Sequence, residues 1–213
     1  MKNRNYFEGP VIDLVRALFG GEDDVLEAAR ERAKEMGLPL IEVAPEDGAI
    51  LAALVRLIDA RSIVEIGTLF GYSAIWMARE LPDSGRLITI EADPAHAQVA
   101  RENLTRAGLA DRVTVLEGKA EQVLPTITGP VDMVFIDADK AGYPSYLTWA
   151  RRVLRPGGLV AADNAFGWGG IAQPGDDAGA SAIRRFLETL ASDGAWRSAM
   201  IPTLEGLAIG VRV

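Results

Sequence analysis

The sequence predicts an α/β fold: an open sheet of about seven strands, parallel except for an antiparallel C-terminal hairpin, with helices on both faces. Extra helices precede the sheet. Three observations carry this. From Ser62 onward, apolar runs alternate regularly with helical patterns. Most runs are continuously apolar rather than alternating, as in strands that helices cover on both faces. The last two runs are joined only by Pro-Thr-Leu-Glu-Gly, too short a link for a parallel crossover.

In chain order, Pro10–Phe19 carries Val11, Ile12, Leu14, Val15, Leu18 and Phe19 at helical spacing and stops at Gly20-Gly21. A second helix is predicted over Glu22–Met36, closed by Gly37, and a third over Glu46–Ala60. Residues 1–60 thus form a helical layer or lid in front of a core at 61–213. Packing or dimer contact is an equal reading for that layer. No linker or repeat divides residues 1–213, so one domain is predicted.

Strands are predicted at Ser62–Ile66, Arg86–Glu91, Arg112–Glu117, Val131–Asp137 and Gly158–Asp163, and the closing pair at Trp196–Ile201 and Leu207–Val213. Helices fall at Tyr72–Leu81, Pro94–Ala107, Ala120–Leu124, Tyr146–Leu154 and Ser181–Leu190. The Gly-rich stretch Gly167 to Gly179 reads as a loop too polar for core.

Composition narrows the function. Of 213 residues, 49% are hydrophobic and 24% charged, an ordinary globular mix. No apolar run is long enough to span a bilayer, and the polar stretch Met1 to Gly9 does not resemble a signal peptide. A cytoplasmic location is the expectation. Without cysteine there is no thiolate chemistry, disulfide or sulfur-bound metal. The single histidine, His96, argues against His-based triads and multi-His metal sites. The net charge of −8 argues against a general grip on nucleic acid.

Ligands of open α/β sheets bind beyond the carboxyl ends of the strands. The five strand ends there carry Glu65, Glu91, Glu117, Asp137 and Asp163, every one acidic. The first strand runs into Gly67 and a helix near Tyr72, the usual start of a nucleotide-type site. An acid at Glu65 suits positive or donor groups rather than phosphate. Glu91 ends the second strand, where an acid commonly accepts from ribose hydroxyls. The turn Gly67-Thr-Leu-Phe-Gly71 places bulky Leu69 and Phe70 where a dinucleotide turn needs glycine. It tolerates a ligand without phosphate, such as S-adenosylmethionine, whose ammonium and sulfonium would face Glu65. Ser73 would bond the ligand carboxylate or simply cap the helix. Backbone around Gly118, Lys119 and Ala120 would border the adenine.

Asp137 and the pair Asp163-Asn164 end adjacent predicted strands, which lie about 4.8 Å apart. Their oxygens can converge on one cation at roughly 2.1 Å. Two carboxylates and an amide suit magnesium first, then calcium or manganese. The alternative is that Asp137 only touches the cofactor and Asp163-Asn164 only forms a turn. Lys140, three residues past Asp137, would act as general base beside the ion, or would pair with Asp139 at the surface.

Together, V-E-I-G-T-x-x-G-Y-S, I-E-A-D, F-I-D-A-D-K, L-R-P-G-G and D-N resemble the cation-dependent class I O-methyltransferases, the group of catechol and caffeoyl-CoA O-methyltransferases. The resemblance runs from about Glu42 to the C-terminus and implies a Rossmann-like core. It places Glu65, Gly67, Ser73, Glu91 and Gly118, Lys119 and Ala120 on cofactor positions, and Val43 over the methionine part. It places Asp137, Asp163 and Asn164 on metal ligands, Asp137 also beside the cofactor, and Lys140 on the catalytic lysine. It implies methyl transfer from S-adenosylmethionine to one hydroxyl of a vicinal dihydroxy aromatic. A homodimer is expected because such proteins are often dimeric.

The chain departs from the pattern after D-N. The run A-F-G-W-G-G-I spaces Phe166 and Trp168 differently, and Gln173 to Ala180 is rich in glycine and acid. Either aromatic would stack on an acceptor or pack under the loop. Glu205-Gly206 stands where D-G is usual, a change read as of little consequence. Three further functions remain open at this point: methylation of a hydroxylated uridine in transfer RNA, a nucleotide-linked oxidoreductase, and a non-catalytic S-adenosylmethionine-binding protein. Arg151, Arg152 and Arg155 form the one dense basic group and read as the solvated face of a helix.

Overall fold

The computed structural model describes residues 9–213; most of the polar stretch at Met1 to Gly9 lies outside them. The elements run α1 (Pro10–Phe19), α2 (Asp24–Glu35), α3 (Pro45–Leu57), β1 (Ser62–Ile66), α4 (Tyr72–Arg79), β2 (Arg86–Glu91), α5 (Pro94–Arg106), β3 (Val113–Glu117) and α6 (Ala120–Val123). They continue through β4 (Val131–Ile136), α7 (Tyr143–Val153), β5 (Leu154–Ala162), α8 (Ala178–Ser192), β6 (Trp196–Ile201) and β7 (Leu207–Arg212).

Helix starts follow local chemistry. Proline opens α1, α3 and α5, where its fixed φ suits the first turn. Asp23, Asp93 and Asp177 cap α2, α5 and α8, each accepting from a backbone N–H of the first turn.

The sheet has seven strands in the order β3-β2-β1-β4-β5-β7-β6. The first five pair in parallel, and β7 inserts antiparallel between β5 and β6. The order reverses direction at β1 and β4, which opens a crevice at their carboxyl ends.

One core lies on each sheet face. Val64, Ile66, Val134 and Ile136 point to the α7 and α8 side with Tyr143 and Phe186. Ile63, Met133 and Phe135 point to the other, with Phe70 and Ile75. There α3 packs on α4, and α2 packs on α4 and α5. The N-terminal helices therefore thicken one layer, while α1 buries none of its residues. Among the described residues no helix is long and apolar enough to cross a membrane.

Several element ends shift by a few residues from the sequence reading, and two differences go further. β5 starts at Leu154, with Leu-Arg-Pro-Gly-Gly as an irregular lead-in: Val131 pairs with Leu154 but Met133 with Leu159. Asp132 holds that bulge by accepting from Arg155 Nε at 2.5 Å. The stretch after Asn164 is not plain loop. It folds into tight turns over Gly167–Ala172, with Gly167 buried and Trp168 at φ +50°.

Candidate active site

Beyond the ends of β1, β2, β4 and β5 lies a cavity of about 760 Å³. Gly67 fixes its floor. Its φ is +97°, and a Cβ there would overlap the carbonyl oxygen of Asp137. Only glycine lets β1 turn this close to the end of β4.

On the β2 side, Glu91 braces the turn after β1. Its Oε2 accepts from the backbone N–H of Thr68 at 3.2 Å and of Leu69 at 2.8 Å, and its Oε1 accepts from Asp93 at 2.9 Å. Leu69 reaches this contact at φ +52°. Glu91 also lines the cavity, with Gly118 and Ala120 beside it. Val43, Tyr72 and Ser73 line the cavity as well.

Three predicted residues are not on the wall. Lys119 is exposed outside the cavity, and Asp163 is buried behind it. Glu65 lies under the floor with no exposed surface. Ser73 Oγ and Thr89 Oγ1 each donate to its carboxyl at 2.6 Å, and Thr68 Oγ1 is 2.5 Å from Thr89 Oγ1. Burial pushes Glu65 up to about 8, against those hydroxyls, so a proton stays on it near neutral pH. From there it holds Ser73 in place. The fifth strand-end acid, Glu117, pairs with Arg101 in solvent.

On the β4–β5 side one cation gathers the oxygens. Lys140 Nζ donates to Asn164 Oδ1 at 2.5 Å, Tyr143 Oη at 2.7 Å and Asp137 Oδ1 at 3.2 Å. Tyr143 Oη in turn donates to the Asp163 carbonyl at 2.9 Å. Burial raises both Asp137 and Asp163, and the charge of Asp137 raises Asp163 further. Asp163 Oδ1 is buried with no hydrogen-bond partner among the described residues.

This donor set fits a hard divalent cation. Two of its oxygens already meet one positive atom, and the third residue leaves a carboxylate oxygen orphaned. Among the described residues no three His, Cys, Asp or Glu side chains cluster for a metal, so the set depends on the amide of Asn164.

Residues 19–213 match the family model described as O-methyltransferase. The chain belongs to the O-methyltransferase family. It is 50% identical over 166 residues to a catechol O-methyltransferase of Niastella koreensis, covering 76% of this chain and 75% of that one. It is 47% identical over 171 residues to the catechol O-methyltransferase of Mycobacterium tuberculosis, covering 80% and 78%. Its fold superposes on the O-methyltransferase TomG of Streptomyces achromogenes, solved with SAM, at TM-score 0.91, with 38% identity and 100% of each chain covered.

In this O-methyltransferase, Glu205 matters more than the sequence reading of Glu205-Gly206 allowed. It lines the cavity and accepts from Asn164 Nδ2. The hairpin brings it there: Ala165 N–H donates to Gly206 O at 2.8 Å and Phe166 N–H to Glu205 O at 2.9 Å. The signal was Glu-Gly in the closing turn, beside D-N only because β7 pairs with β5. The two aromatics separate. Phe166 packs on Gly206, where a Cβ would stand 2.7 Å from its ring. Trp168 is 73% exposed at the cavity rim, its ring centroid 6.0 Å from Lys140 Nζ. Thr68, Thr89 and Tyr143 were missed, because their roles appear only when β1, β2, β4 and β5 are assembled.

Proposed function

We propose that this O-methyltransferase moves a methyl group from S-adenosylmethionine to one hydroxyl of a catechol-like aromatic, with a hard divalent cation. The carrying observation is the convergence of Asp137 Oδ1 and Asn164 Oδ1 on one cationic atom at the edge of the cavity. The curated relatives with catechol O-methyltransferase as their name and the SAM complex of TomG support the same reading.

S-adenosylmethionine supplies an electrophilic methyl group on a sulfonium. Glu91 accepts from its ribose, and the small residues Gly67, Gly118 and Ala120 let the ligand approach the backbone. Asp137, Asp163 and Asn164 would hold a divalent cation, which would supply Lewis-acid stabilisation. Trp168 offers the aromatic acceptor a flat apolar face at the rim. Lys140 Nζ, once its own proton has passed to solvent, takes the acceptor's hydroxyl proton. The oxygen bonds to the methyl carbon as the sulfur–carbon bond breaks, leaving the neutral thioether.

The basic group favours a small acceptor over transfer RNA. It lies where α7 enters β5, at the opposite end of the sheet from the cavity. Arg151 pairs there with Asp193 and Arg155 with Asp132.

The test is an acceptor screen of caffeate, a lone phenol and transfer RNA, with chelator and with Mg²⁺. Caffeate should be methylated only with the cation. Turnover that ignores chelator, or RNA as the sole acceptor, would reject the reading.

A further inference from the structure

The segment between α2 and α3 forms a strap whose residues Pro39 to Val43 line the cavity. Arg30 of α2 fastens this strap. Its Nε donates to Glu42 Oε1 at 2.6 Å, and its other N–H groups donate to Glu22 at 3.0 Å and Tyr72 Oη at 3.3 Å. Its guanidinium carbon stands 5.2 Å from the centre of the Tyr72 ring, and Tyr72 Oη donates to Glu22 at 2.8 Å. One planar cation thus ties α2, the strap and the first residue of α4 together.

Glu42 is left half-satisfied. Arg30 holds Oε1, while Oε2 is buried with no hydrogen-bond partner among the described residues. The side chain is only 10% exposed, yet Glu42 lines the cavity. A buried carboxylate oxygen without a donor is costly, so a ligand or water normally completes it.

The cavity's own layout says which donor. Glu91, at the end of β2, suits ribose hydroxyls and has both oxygens braced by backbone. Glu42 shares its stretch of the cavity wall with Tyr72, since Arg30 bonds both, and Tyr72 and Ser73 begin α4. A zwitterionic amino-acid group fits that wall: its carboxylate toward the helix start, its ammonium toward the acid.

We propose that Glu42 binds the cofactor, its free oxygen accepting from the α-ammonium of the amino-acid end of S-adenosylmethionine, with Arg30 as its positioning residue. The inference rests on S-adenosylmethionine as the methyl donor. No covalent step is involved.

Calorimetry with two ligands tests it. S-adenosylhomocysteine keeps the ammonium; 5′-methylthioadenosine lacks the whole amino-acid end. Glu42→Ala and Glu42→Gln should each weaken S-adenosylhomocysteine about tenfold or more, the size of a hydrogen bond to a charged group. Methylthioadenosine binding should stay within about twofold, which also reports that the variants fold. Arg30→Lys should weaken S-adenosylhomocysteine selectively as well. Unchanged S-adenosylhomocysteine affinity in both Glu42 variants would overturn the assignment. So would equal losses for both ligands, the mark of a distorted strap. Failure of the unaltered protein to bind either ligand would instead remove the methyl-donor reading on which this one rests.

Discussion

Lys140 Nζ stands 2.5 Å from Asn164 Oδ1 and 3.2 Å from Asp137 Oδ1, so an ammonium holds two oxygens that the proposed metal also needs. The two cations compete for one place. The ammonium also offsets the repulsion between Asp137 and Asp163. Lys140→Met removes the charge and keeps the volume. Its affinity for Mg²⁺ or Mn²⁺ should rise in calorimetry, while turnover falls about 10²-fold or more. Under chelator the variant should lose about 3 kcal/mol of stability, the scale of a broken buried ion pair. Adding Mg²⁺ should restore its melting temperature more than it raises that of the unaltered protein. A fall in metal affinity would show that the lysine helps the cation rather than excluding it.

Glu65 gives a pH dependence whose sign is fixed by burial. Its pKa rises from the ordinary 4.5 to about 8, driven by burial, with Asp137 and Glu91 adding and the Ser73 and Thr89 hydroxyls opposing. Below the unfolded value both states hold the proton, and nothing changes. Between the two values only the folded state holds it, so stability falls as pH rises through that window; above the folded value the loss is complete. Glu65→Gln cannot ionise and keeps an oxygen for a hydroxyl. The variant should melt increasingly higher than the unaltered protein as pH climbs from 5 toward 8, by an amount on the order of a few kcal/mol in total. Parallel melting curves across that range would mean that Glu65 is not held neutral.

What the sequence disclosed, and what it hid, follows from how far apart the partners lie. The periodic β–α alternation put Glu91, Asp137 and Asn164 at strand ends, and Gly67 in a turn, because those placements need only local pattern. The adjacency of β4 and β5 was legible for the same reason. Glu65 was located at a strand end, but its burial and its partners were not legible. A strand residue faces one layer or the other, and its hydroxyl partners come from α4 and β2, 8 and 24 residues away. The insertion of β7 beside β5 leaves no local trace, so Glu205 looked like an ordinary turn residue. Trp168 adopts a left-handed backbone that a bulky side chain seldom takes, and no composition rule foretells it.

Asn164 shows what that hidden turn residue does. The amide presents Oδ1 to the Lys140 ammonium and donates from Nδ2 to Glu205 Oε2. With the nitrogen end engaged, the oxygen end must face the cation place. Glu205 is therefore a positioning residue for the metal set, as outer partners of metal ligands commonly are. Glu205→Ala frees the amide to turn, and Mn²⁺ affinity should fall about tenfold to a hundredfold. Glu205→Gln keeps an acceptor oxygen for Nδ2 and should hold affinity within about threefold, a difference small beside that loss. The hairpin itself should survive both changes, because Phe166 N–H bonds the backbone oxygen of residue 205 at 2.9 Å and not its side chain. Manganese titration followed by electron paramagnetic resonance reads the difference directly. Equal affinity in the alanine variant would place control of the amide in the backbone of Asn164, held at φ +52°.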